Sequence, residues 1–176
     1  MGVNCEYPYL ETNYIFLSNL RRYRELAKEK RHKCIVTSNV SADLKYLQTD
    51  YQELLNEHNM VQDNAGLMAI KFFINCNVNA IYIAGMDRYS QNISENYGNS
   101  DNSFIARKEY FDEINSSISD VLEEYATKIE IHFLTKEKNV HLRKESKNMK
   151  TQIRGEYWNR IICIFAKTSG GWEVAA

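Results

Sequence analysis

Polar groups able to hold a ligand gather just after an unbroken apolar run. In "AIYIAGMDRYSQN" the run Ala80 to Ala84 is followed by Gly85, Asp87 and Tyr89, with Tyr97 further on. A glycine at a strand end lets a backbone or ligand approach closely. A carboxylate there accepts hydrogen bonds, and phenol hydroxyls can bond a phosphate or sugar oxygen. Upstream, Asn64, Ala65 and Gly66 open a segment that reads as a helix, whose free amides would face whatever lies before it. These positions (Asn64, Ala65, Gly66, Gly85, Asp87, Tyr89 and Tyr97) form the candidate ligand-binding set, with no catalytic residue assigned. The competing reading makes Asp87 a cap for the loop and lets Tyr89 pack over the strand end.

Other routes to chemistry are poorly supplied. No P-loop, GxGxxG, GxSxG or HExxH is present. The seven glycines are too scattered for a phosphate cradle of those kinds, so a nucleotide site must rely on a helix N-terminus and side chains. The cysteines, Cys5, Cys34, Cys76 and Cys163, are far apart and read as buried reduced thiols of a cytoplasmic protein. The histidines are as scattered, and no metal site is expected. His132 reads as a satisfied strand residue, His32, His58 and His141 as exposed, and Arg21, Arg22 and Arg24 as a solvated helix face.

The elements that must position the candidate set alternate along the chain. Asn13–Ser18, Lys33–Ser38, Ala80–Gly85 and Lys128–Thr135 read as strands. Between them lie an amphipathic helix over Asn19–Arg31, one or two short helices within Ser41–Asn59, and a helix over Asp63–Asn77. A long helix is expected from about Phe104 to Thr127, after an Asn- and Ser-rich loop at Ser90–Ser103. Alternation of this kind predicts a mostly parallel sheet covered by helices. Right-handed crossovers place the strand C-termini on one edge, where such sheets bind ligands. Ser38, Gly85, Met86, Asp87 and Thr135 fall on that edge.

At 176 residues, 1–135 reads as one α/β domain. Residues 136–176 read as a basic surface segment and an apolar C-terminal element packed on the same domain. Lys136–Arg154 carries seven Lys or Arg, and "EYWNRIICIFA" (Glu156 to Ala166) is expected to be an edge strand or a helix. With 22 basic and 23 acidic residues, the balance gives no general argument for nucleic acid or an anionic membrane. Neither a leader nor an apolar run near about 18 residues is seen, so a soluble cytoplasmic protein without a membrane span is expected.

"GLMAIKFFINCNVNAIYIAGMDRY" (Gly66 to Tyr89) resembles the central motif of the Campylobacter-type sialyltransferases and the related MptE-like pterin diphosphokinase domains. In those families a glycine opens a helix and the next strand ends in Gly-hydrophobic-Asp. With "NYIFLSNLRRYREL" and "CIVTSN", the chain is still more similar to the C-terminal domain of aldolase-like proteins of surface-polysaccharide gene clusters, of the 4-hydroxy-2-oxovalerate aldolase kind. The likeness spans about Asn13 to Thr135. It implies a Rossmann-like three-layer fold and a metal-free site for a cytidine nucleotide or nucleotide-sugar, with Gly66, Asp87 and Tyr89 in matching places and Tyr97 matching loosely. Three departures stand beside it. Ala65 replaces a nucleotide-contacting serine, and Arg107 occupies the place of the proposed base. Arginine stays protonated and cannot take a proton. The family's first strand and its phosphate loop are missing, so the chain is expected to open at the second strand.

The leading expectation is therefore a Rossmann-like nucleotide or nucleotide-sugar binding domain. It would serve as an accessory or detached C-terminal module of a surface-polysaccharide protein, with weak or no catalysis. One alternative is a sialyltransferase-like glycosyltransferase using a CMP-activated sugar. Another is a module that docks onto an aldolase-like partner, or onto a second copy of itself, through the apolar C-terminal stretch.

Overall fold

The computed structural model describes residues 1–5, 12–86, 89–91, 108–134 and 163–167. Seven strands form a single sheet: β1 (Gly2–Val3), β2 (Ile15–Leu17), β3 (Cys34–Thr37), β4 (Leu47–Thr49), β5 (Ala80–Ala84), β6 (Glu130–Phe133) and β7 (Cys163–Lys167). The helices are α1 (Leu20–Glu25), α2 (Tyr51–Leu54), α3 (Ala65–Asn75) and α4 (Phe111–Ala126). The strand order is β4-β3-β2-β1-β7-β5-β6. All neighbours pair in parallel except β7, which runs antiparallel to both β1 and β5. This is a Rossmann-like α/β sheet with one reversed strand, β7, set between β1 and β5.

Side chains alternate between two apolar layers, as the pleat requires. Val3, Phe16, Ile35, Ile81, Ile83 and Ile164 face a large core shared with α3 and α4. Ile15, Leu17, Cys34 and Val36 face a smaller one with Tyr23 of α1 and Val40. The apolar stripe of α4 (Phe111, Ile114, Ile118, Val121, Leu122, Tyr125) is what fastens it to the first layer.

Local signals set the joints. Asn19 and Asp50 accept amide hydrogen bonds at the starts of α1 and α2. α3 ends at Asn77, whose φ of 55° is the left-handed turn that asparagine tolerates. There the Val78 and Asn77 amides bond back to the Phe73 and Ile74 carbonyls, and buried Val78 and Phe73 complete a Schellman stop that feeds β5.

Several sequence expectations change. The helix over Asn19–Arg31 stops at Glu25, then Leu26 and Ala27 are extended and Lys28–Lys33 is a 3₁₀ turn. Arg31 causes the break. Its guanidinium lies 4.6 Å from the Tyr23 ring centre and donates to the Leu26 and Arg24 carbonyls and to Asp43, so it caps α1 instead of extending it. Ser41–Asn59, expected to be helical, contains strand β4 as well as α2. α4 begins at Phe111, after a 3₁₀ turn at Lys108–Tyr110; the expected start near Phe104 lies outside the described residues. Cys34 is buried as expected, whereas Cys76 is exposed.

The two ends of the sheet order also differ from expectation. The sheet does not open at the second strand: a two-residue strand, Gly2–Val3, precedes it and lies beside β2. It is too short to register as an apolar run. "EYWNRIICIFA" supplies neither an edge strand nor a helix where it is described. Cys163–Lys167 is an inner strand with a neighbour on each side, and Ile164 is 1% exposed. The apolar side chain of Ile164 is buried within the sheet's core. Residues 136–162 and 168–176 lie outside the described residues.

Candidate functional site

α3 runs antiparallel to the β5 that follows it, so its first residues and the last residues of β5 meet the same edge of the sheet. Asn64, Ala65, Gly66 and Gly85 therefore share the C-terminal edge that the alternation predicted. The amide-rich start of α3 is already satisfied from within the chain. Asn64 Oδ1 accepts from the Gly66 and Leu67 amides at 3.0 and 3.2 Å. Gly66 is buried, and Ala65 is half-buried against the main core. Asn64 thus acts as the helix cap, a role that suits its extended backbone.

At the end of β5 the chain turns at Gly85, whose φ is 79°. A side chain in that left-handed conformation is disfavoured by its clash with the backbone, which glycine escapes. Met86 is buried directly after it, so the turn tucks the chain back onto the core. Asp87 and Tyr97 lie outside the described residues, as do Arg107 and Thr135.

Tyr89 is fixed firmly. Its ring stacks on Phe111 with centroids 5.3 Å apart and planes 15° apart. Its amide donates to Asn115 Oδ1 at 2.8 Å, and Asn115 Nδ2 donates back to its carbonyl at 2.9 Å. Tyr89 therefore packs over the strand end, which is the competing reading of its role, and its backbone position is set by α4. Asn115 escaped the sequence reading. Its signal was available: it is the one amide on the apolar face of α4, and a buried amide there needs partners.

Other groups line the same edge. Ser38 follows β3 and its hydroxyl accepts from the Tyr51 amide at 3.0 Å. Tyr51, in α2, is pushed above the ordinary phenol range first by burial and then by the nearby Asp63 carboxylate. Asp63 immediately precedes Asn64, so this edge carries a negative charge close to the start of α3. Asn4, after β1, has a φ of 64°, and its side-chain oxygen is buried without a hydrogen-bond partner.

The reversed strand changes the geometry of the edge. In an open sheet of this type the reversal of strand order leaves a crevice between the two halves. Here β1 and β5 are each paired to β7, with Gly2 and Ala84 both opposite Cys163. The two strand ends are thus about 10 Å apart, two inter-strand steps, with backbone between them. The elements outside β7 still deliver Asn4, Gly85 and the start of α3 to one edge.

His132 is not part of this site. It stacks on Tyr82 at 4.6 Å and pairs with Glu130 at 2.8 Å, the satisfied strand histidine that was expected. Among the described residues no cluster of three or more His, Cys, Asp or Glu could hold a metal ion. Among those residues, too, no helix is long and apolar enough to cross a membrane. No protein-family model, no curated protein and no solved structure matches the chain.

Proposed function

We propose that this chain is a Rossmann-like binding domain for a nucleotide or nucleotide-sugar, held at the C-terminal edge of the sheet. In this reading it is an accessory module of surface-polysaccharide synthesis with little or no catalysis of its own. The observation that carries the proposal is the meeting of the left-handed Gly85 turn, the anchored Tyr89 backbone and the start of α3 on one edge. The capped amides of Gly66 and Leu67 move the expected contacts away from the helix itself. They fall instead to the backbone around Gly85 and, in this reading, to Asp87, which follows Met86 in the sequence. Asp63 likewise disfavours a phosphate directly at the start of α3 by charge repulsion.

A thermal-shift series with CMP, CDP, UDP, NAD and a pterin tests this. A cytidine nucleotide is expected to raise Tm, and Gly85→Val is expected to abolish the rise by blocking the close approach. No shift with any compound of the series would sink the reading. A rise with CMP that Asp87→Ala removes, together with transfer from a CMP-activated sugar, would replace the accessory reading by the glycosyltransferase one.

A further inference from the structure

β4 closes the described sheet at one end, with a neighbour only on its β3 side. A strand in that position presents backbone N–H and C=O groups on its outer border, where a further strand can add. At the other end of the sheet, β6 carries the Glu130–His132 ion pair, the kind of charge that discourages such addition.

The residues of the β4 end are apolar where they meet solvent. Leu44, Tyr46 and Leu47 are 47%, 46% and 41% exposed, three of the five large hydrophobic residues that stand out among those described. Tyr14 extends the patch inward, its ring 4.6 Å from that of Tyr46. Apolar side chains gathered in this way at a surface mark an interface.

Charge selects the occupant. Lys45 lies within the patch and Asp50 just past the end of β4, both exposed. Lay β4 antiparallel against a second β4, with the two-fold axis at Leu47 or at Gln48. Each Lys45 then comes within one residue of the level of the other copy's Asp50, and the contact is made twice, as two-fold symmetry requires. An in-register parallel pair would instead set Lys45 level with Lys45 and Asp50 level with Asp50, which opposes association. The strand is complementary to itself in one orientation.

We infer that the β4 edge pairs antiparallel with the β4 edge of a second copy of this chain, giving a two-fold dimer with one continuous sheet. The ladder is only three residues long, which puts the contact at the low end of specific interfaces. The dimer is therefore weak, with a Kd of about 10–100 µM. It rests on no part of the nucleotide-binding reading above.

The test is sedimentation velocity on the full chain from about 5 to about 500 µM. The parent is expected to move from monomer to dimer across that range. Leu47→Lys sets like charges beside the axis, and Lys45→Glu sets a carboxylate near the partner's Asp50. Each is expected to weaken the dimer at least about tenfold. Both positions are exposed, and urea midpoints close to the parent's confirm that both variants fold. A parent that stays monomeric at the top of the range would leave the edge to some other protein and overturn the inference. An undiminished dimer in either variant would overturn it too, by placing the contact elsewhere.

Discussion

Asn115 of α4 holds Tyr89 by both faces of its carboxamide, accepting from the Tyr89 amide at 2.8 Å and donating to the Tyr89 carbonyl at 2.9 Å. The pattern is that of a ladder rung, with a side chain standing in for a neighbouring strand. It places the chain just beyond Gly85 under the control of a helix that starts more than twenty residues later.

Truncating this amide removes the Asn115 bonds to two backbone groups of Tyr89. Asn115→Ala is expected to lower the unfolding free energy by about 1–3 kcal/mol, the usual cost of orphaning partly buried polar groups. Urea denaturation gives the magnitude. Hydrogen exchange at the Tyr89 amide gives the mechanism and should quicken well beyond the general loss of stability. Unchanged exchange at Tyr89 would show that the contact does not hold the segment in solution.

Gly2 offers a steric test. A Cβ built there would lie 2.6 Å from the Cys5 carbonyl oxygen, closer than real contacts allow. Val3 faces the main core and the chain reverses at Asn4, so the backbone returns across the face on which Gly2 lies. Gly2→Ala must push backbone apart and is expected to cost about 1–3 kcal/mol, the range for overpacked interiors. A thermal melt of this variant that matches the parent would mean the close approach is not maintained.

Tyr125 makes the opposite kind of prediction. Its ring is 2% exposed, its hydroxyl has no partner, and burial pushes its ionisation far above the ordinary tyrosine value. The folded state therefore resists forming the phenolate more than the unfolded chain does. The resulting stability is fully present below the unfolded value near 10 and is lost as pH rises toward the folded value. Tyr125→Phe removes an unpaired polar group, so at pH 7 it is expected to be neutral or stabilising by up to about 1 kcal/mol. It should also flatten the alkaline decline. Urea midpoints measured from pH 7 to 11 check both, and a clear loss at pH 7 would reveal a partner for the hydroxyl.

How much of this was readable depended on what each segment does physically. β2, β3 and β5 are largely buried apolar runs, while β6 alternates Glu130 and His132 with Ile131 and Phe133, and their types and approximate bounds follow from those patterns. β4 escaped because Leu47 and Gln48 are exposed, so neither alternation nor burial marks it. The early stop of α1 is a tertiary effect, since Arg31 reaches back to Tyr23 and Asp43. At the candidate site the edge was legible from topology alone. The use of its residues was not: an asparagine before a helix signals a cap and a source of amides equally well, and at Asn64 the cap prevails. The order of strands was hidden most deeply, because nothing in "IICIFA" says which neighbours it will choose.

That choice has a consequence for how the molecule is made. Strands β1–β4 and strands β5–β6 share no ladder; their only seam is Cys163–Lys167, translated after every other strand of the described sheet. A nascent chain therefore carries two half-sheets with raw inner borders, at β1 and β5, until that segment emerges. Such borders invite wrong pairings. Registration of the halves, with the Ile164 amide bonding the Met1 carbonyl at 2.9 Å, has to wait for that segment and joins the most distant stretches of sequence in the described sheet.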